Sequence, residues 1–142
     1  MAQDLDNRLL ALLKENARES IADLARKLGV SRATVKQHMA TLERRRVIEG
    51  YTIRYHPQRD QQQIRAYLMI ELNPKQLTGV VRHMEKISAV QSLYSISGIY
   101  DLMAQVSCDN TEQLDRIIDQ IASLDGIDKT LTSVVLGAKF QR

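Results

Sequence analysis

Tryptophan is absent from this sequence, phenylalanine occurs once and cysteine once. With aromatic residues at 4%, any core must be built from aliphatic side chains. The lone Cys108 excludes an internal disulfide and has no metal-ligating companion nearby, which implies a reducing compartment. No apolar run approaches the roughly 18 residues that a membrane span needs, and no basic start leads into an apolar segment. His38, His56 and His83 stand apart from one another, and no His/Cys/carboxylate cluster has metal spacing. There is no Gly-rich phosphate loop and no nucleophile-elbow pattern. These gaps predict a cytoplasmic protein that is not an enzyme, has no metal site or cofactor, and has no membrane partner.

What is present is a chain of 142 residues, 44% apolar and 26% charged. That length suits one average domain or two small ones. The formal charge is +3, but it is unevenly placed. Residues 1–60 carry 12 Lys/Arg against 8 Asp/Glu, net +4, whereas residues 61–142 carry 8 against 9, net −1. Such asymmetry suggests a polyanion-binding half joined to a half with another task. Residues 26–46 concentrate seven basic side chains around a single acid, Glu43. A solvated basic face is the plainer account of that stretch.

The apolar series Leu5, Leu9, Leu12, Leu13 predicts a first helix ending near Asn16–Arg18. Ser20, with Asp23 three residues on, opens a second helix through a capping-box pattern, and Ile21, Leu24, Ala25 and Leu28 form its stripe. Gly29 suits a left-handed helix end, Val30 plugs the gap, and Ser31 caps a third helix facing Val35, Met39 and Leu42 inward. Two short helices across a tight glycine turn predict a helix-turn-helix, with a generic helical hairpin as the alternative. The outward residues of the third helix then match duplex readout. Arg32, Ala33, Thr34 and Gln37 suit base edges, while Lys36, His38 and Arg44–Arg46 (Arg44, Arg45, Arg46) suit phosphates, with Ser31 a cap first and a phosphate contact second. Tyr51, Ile53 and Tyr55 alternate as in a strand, predicting a wing or linking strand stopped by Pro57.

The second half reads strand, helix, strand, strand, helix, strand: "RAYLMIELN", the Leu77–Ile87 stripe, "AVQSLYSIS", "IYDLMAQVSC", the Leu114–Leu124 stripe and "IDKTLTSVVLG". That order is the ferredoxin-like split unit, with both helices on one face of an antiparallel sheet and the other face meeting another subunit. The predicted fold class is α+β, an N-terminal winged helix-turn-helix plus a C-terminal ferredoxin-like β-α-β-β-α-β sandwich. The predicted organisation is a helix-turn-helix domain with its following strand at 1–56, a hinge at 57–65 and an effector-binding and oligomerisation domain at 66–142. In "SGIYD", glycine and free backbone N–H groups stand beside Tyr100 and Asp101, a pairing that could hold the carboxylate and ammonium of an amino acid. The alternative is a plain β-turn with a strand-edge Asp. The candidate effector residues are Ser97, Gly98, Ile99, Tyr100 and Asp101, with Thr130 and Thr132 on the last strand.

The chain resembles the Lrp/AsnC family, the feast/famine transcription regulators, nearly end to end. The resemblance is carried by "LDNRLLALLKENARESIADLARKLGVS", "LERRRVIEGY", "GIYD" and the half ending "TSVVLGAK". It implies sheet-to-sheet homodimers assembling to octamers or other higher oligomers, with an effector, usually an amino acid, bound between dimers near Gly98–Asp101. The implied function is a sequence-specific transcriptional regulator of double-stranded DNA, its paired recognition helices entering successive major grooves roughly 34 Å apart. Three positions depart from the family pattern. Arg46 stands where Gly is usual; if the turn is kept, it takes a positive φ at a cost of around 1 kcal/mol. His38 replaces a common Arg, and Ala40-Thr41 replace a frequently basic pair, so affinity per protomer is expected to be weaker or its reach different. Ile99 replaces a common Asp and removes a charge from the effector turn. Two rivals remain open at this level: a tetrapyrrole decarboxylase, similar to this family in both halves, and a nucleoid-type packaging protein.

Overall fold

A computed structural model describes residues 1–56 and 62–141. The chain divides into two compact units, Met1–Arg54 and Tyr55–Arg142. Most of the expected hinge, residues 57–61, lies outside the described residues, and the last two positions of the 57–65 span, Ile64 and Arg65, already belong to a strand.

The first unit holds α1 (Ala2–Glu15), α2 (Ile21–Leu28) and α3 (Arg32–Arg44). The Ser20 hydroxyl accepts the Asp23 backbone N–H at 3.1 Å, which caps α2, and donates to the Asp23 carboxylate at 2.7 Å. That hydroxyl, followed by the Arg26 guanidinium, holds the Asp23 carboxyl below its ordinary range. Gly29 ends α2 at φ 71°, and the Val30 N–H returns to the Ala25 carbonyl at 3.1 Å. This two-residue reversal leads directly into Ser31, whose Oγ accepts the Thr34 N–H. The helices then close on a core of Leu9, Leu13, Leu24, Ala25, Leu28, Val35 and Leu42, with Val30 packed against it. No aromatic ring takes part, in keeping with the composition.

After α3 the chain turns through Arg46, at φ 56° the one non-glycine residue with positive φ among those described. The Val47 and Ile48 N–H groups converge on the Leu42 carbonyl at 2.9 and 3.2 Å. The strand expected at Tyr51–Tyr55 does not form: residues 51–56 are neither helix nor strand. A strand requires a hydrogen-bonded neighbour, and alternation alone does not supply one. Tyr51, Ile53 and Tyr55 are all exposed, so their alternation marks no buried face within this chain.

The second unit is a four-stranded sheet in the order β2-β3-β1-β4, formed by β1 (Ile64–Leu72), β2 (Val90–Ser95), β3 (Leu102–Cys108) and β4 (Ile127–Val134). All neighbouring pairs are antiparallel. Alternate residues of β1 and β3 point into one core with Val80 and Met84 of α4 (Leu77–Glu85) and Leu114, Ile117 and Ile121 of α5 (Thr111–Ala122). Both helices therefore cover one sheet face. Leu77 and Val81 of the expected α4 stripe remain exposed. A register shift between Val90 and Ser92 breaks the simple alternation of β2, so that Val90 and Leu93 face the core while Tyr94 sits opposite Met103 on the open face. Cys108 is buried at the end of β3, and burial pushes its thiol up, so it behaves as a small apolar residue. Gly126 returns the chain from α5 to β4 at φ 95°; a Cβ there would collide with the Gln76 side chain.

Candidate functional site

The α3 surface follows from its helical turn of about 100° per residue. Val35 and Leu42 are buried and Met39 is packed on the core, so the diametrically outward ridge runs Ala33, Gln37, Ala40, Arg44. Arg32 and Lys36 occupy one flank of that ridge. Thr34 and Thr41 occupy the other. Arg32, Ala33, Lys36, Gln37, Arg45 and Arg46 are exposed, and their side chains make no hydrogen bond or ion pair with the described residues. Arg44 reaches only Thr41 Oγ1, at 3.5 Å. By contrast, the cations of α2 are engaged: Arg26 pairs with Asp23 and Lys27 with Glu19. The basic residues of α3 and its end are thus left without an acid among the described residues, as are Arg8, Lys14 and Arg18 of the same unit, but only on α3 do they flank the outward ridge of the second helix of the pair.

Three of the expected contact residues are occupied within the fold. Ser31 Oγ and Thr34 Oγ1 lie 2.8 Å apart, so both hydroxyls serve the cap, and Thr34 is half-buried. His38 is turned back against α1: its Nδ1 stands 2.7 Å from Asp6 Oδ1, and its side chain keeps only 23% of its exposure. His38, expected at the phosphates, thus has one ring nitrogen taken by Asp6. The reason lies on the wheel, where His38 falls beside Val35 and Leu42, on the inward side. No local spacing announces a contact between positions 6 and 38, so the sequence carried no signal for it.

A second tie was also missed. The Tyr51 hydroxyl donates to Glu43 Oε1 at 2.7 Å. Partial desolvation, then the Glu43 carboxylate, raises the Tyr51 phenol to about 12. This bond occupies the one acid of α3 and pins the chain after Arg46 to the helix end.

In the second unit, the β2–β3 turn places Ser97, Gly98 and Ile99 in the open, with Ile99 at 83% exposure and Tyr100 half-buried. Gly98 adopts φ 120°, which a side chain would resist. Asp101 is a structural acceptor as well as a charge. Its N–H donates to the Ile70 carbonyl at 2.9 Å, and its Oδ2 accepts the Leu72 N–H at 2.9 Å. The carboxylate takes the place of a backbone carbonyl one step beyond the paired part of β3, where the chain has already left for the turn. Thr130 lies opposite Ile70 and Thr132 opposite Leu68. Asp101 and Thr130 therefore share one end of the sheet with β1 between them, about 10 Å apart at the strand spacing. A single chain does not bring the turn and the two threonines into contact.

A helix-turn-helix with an outward, acid-free ridge, carried on the same chain as a ferredoxin-like domain, defines a two-domain DNA-binding regulator. Comparison with known proteins gives the same class. The Lrp/AsnC ligand binding domain model matches residues 65–142, and a winged helix-turn-helix DNA-binding model matches residues 3–49. The HTH-type transcriptional regulator LrpA of Pyrococcus horikoshii is 30% identical over 137 residues, which span 96% of this chain and 97% of that protein. LysM of Sulfurisphaera tokodaii is 32% identical over 136 residues, 95% of each chain. Among solved structures, E. coli AsnC superposes with a TM-score of 0.87 at 27% identity, covering 98% of this chain and 95% of that one. A feast or famine regulatory protein from M. tuberculosis, complexed with L-methionine, gives 0.87 at 25% identity over 99% and 96%. The chain belongs to the Lrp/AsnC family of transcriptional regulators. Its first unit is the DNA-binding helix-turn-helix and its second the family's ligand-binding domain.

Proposed function

We propose that the protein regulates transcription in the cytoplasm by setting the outward ridge of α3 into the major groove of double-stranded DNA. Ala33 and Gln37 meet base edges there, and Arg32, Lys36, Arg44, Arg45 and Arg46 meet phosphates. Ser31 adds a cap-side phosphate contact, and Thr34 and His38 support the helix from within. The observation that carries this reading is the run of exposed cations on and just after α3 that pair with no acid among the described residues. Homodimers, assembling to an octamer or another higher oligomer, present paired helices to successive grooves. No helix among the described residues is long and apolar enough to cross a membrane. Titration of promoter fragments by fluorescence anisotropy tests the reading. The logarithm of the affinity is expected to fall linearly with the logarithm of salt, by about 0.9 for each phosphate contact. Affinity that stays level between low and high salt would refute it.

The effector is an amino acid, bound between dimers at Ser97, Gly98, Ile99, Tyr100 and Asp101 with Thr130 and Thr132. The M. tuberculosis relative complexed with L-methionine makes an apolar amino acid the first to try, and the exposed Ile99 offers an apolar surface in the turn. Because the Asp101 carboxylate holds the Leu72 N–H, Asp101→Ala would disturb the sheet as well as the charge. Asp101→Asn keeps an acceptor oxygen and removes only the charge. Calorimetry against the twenty amino acids is expected to show heat with the parent and a binding constant reduced about tenfold or more for Asp101→Asn. Heat that is unchanged by this variant would move the ammonium site away from Asp101.

A further inference from the structure

We propose that Arg46 is a phosphate-gripping residue held in a backbone conformation that disfavours it, so that the first unit gives up stability in exchange for hold on DNA. The proposal rests on the DNA-binding reading above and adds a specific conflict at one residue. Arg46 is the described non-glycine residue at positive φ, 56°. Such a conformation brings Cβ against the backbone and suits glycine. The side chain does nothing to hold it there. The turn is fixed by main-chain bonds: Arg46 N–H to the Glu43 carbonyl at 3.0 Å, then the Val47 and Ile48 N–H groups to the Leu42 carbonyl. A glycine at this position would keep all three.

The Arg46 side chain is exposed and makes no hydrogen bond or ion pair with the described residues. Two acids lie close by. Glu43 and Glu49 line the same shallow depression as Arg46 and Ile48, but neither pairs with it, and Glu43 is taken by the Tyr51 hydroxyl. No side-chain hydrogen bond or ion pair within the unit offsets the backbone cost. A strained residue with a free functional head points outward for its purpose. Next to Arg44 and Arg45, at the end of the helix whose ridge faces the duplex, an anionic oxygen of the sugar-phosphate backbone is the ligand that a guanidinium fork fits.

Two plainer roles predict different signs. If Arg46 served the negative end of the α3 dipole, removing it would lower stability. If it only neutralised Glu43 and Glu49, removing it would leave DNA affinity alone or raise it. Full-length Arg46→Gly, Arg46→Asn and Arg46→Lys separate these, with melting followed by calorimetry and duplex binding followed across salt. Arg46→Gly is expected to raise the melting temperature of the first unit by about 3–6 °C, with Asn giving a smaller rise and Lys none. Arg46→Gly and Arg46→Asn are both expected to weaken binding about 3–10-fold and to reduce the salt slope by about 0.9 per bound protomer, while Arg46→Lys keeps most of both. A melting temperature that falls in Arg46→Gly, or affinity and salt slope that stay at the parent value, overturns the proposal while leaving the DNA-binding reading in place. A parent chain that binds no duplex overturns both.

Discussion

Leu24→Ala is expected to unfold the DNA-binding unit while leaving the ligand-binding unit folded. Leu24 is fully buried between α1, α2 and α3, in a core of only seven buried side chains. Removing three carbons from such a site costs about 2–5 kcal/mol, the lost transfer energy plus the cavity left behind. A unit of this size, Met1–Arg54, commands about 3–5 kcal/mol in total. The substitution is therefore comparable with the whole stability of the unit, not a fraction of it. The core of the second unit, around Leu68, Ile70, Met84 and Ile121, shares no member with it, so the two effects are independent. Hydrogen exchange should show protection lost across α1–α3 and retained along β1 and β3, with duplex binding reduced at least a hundredfold. Binding and protection that both match the parent would mean that Leu24 is not a core residue of the readout domain.

The elements that were legible in the sequence are those whose instructions are local. Ser20 with Asp23, Gly29 and Ser31 specify two helix starts and one stop within a dozen residues, and each cap forms as the spacing requires. Arg46 is the same kind of case: a non-glycine residue in a turn that needs a positive φ simply adopts it. What was not legible depends on distant partners. The Asp6–His38 bond spans 32 positions and turns a basic-looking surface residue inward. Asp101 looked like a candidate ligand group and proves also to complete a strand ladder by bonding Leu72, 29 positions away. The alternation at Tyr51–Tyr55 suggests a strand, but residues 51–56 join no sheet among the described residues. In β2, a single register shift between Val90 and Ser92 exchanged the faces that strict alternation assigns.

Within the readout helix, Gln37 and Lys36 are adjacent in sequence and are expected to behave oppositely. Gln37 stands on the outward ridge one turn beyond Ala33, whereas Lys36 is displaced from it by about 100°, toward the flank. A side chain on the ridge points at the groove floor, where its amide can bond an adenine edge with both of its groups. A flanking ammonium meets the groove wall, where every sequence offers the same phosphates. Gln37→Ala should therefore cost about 1–3 kcal/mol at one base position, about 5–150-fold, and leave binding to non-cognate duplex nearly unchanged. Lys36→Ala should weaken cognate and non-cognate duplex by a similar factor and reduce the salt slope by about 1. Thr34, on the flank opposite Lys36, has its hydroxyl bound to Ser31, and Gln37 is the uncharged polar side chain of the ridge. Selection from a randomised duplex library, run with parent, Gln37→Ala and Lys36→Ala, measures preference at every base position together. An exchange of the two patterns would place Lys36 over the groove floor and require α3 to dock rotated toward its Arg32 flank.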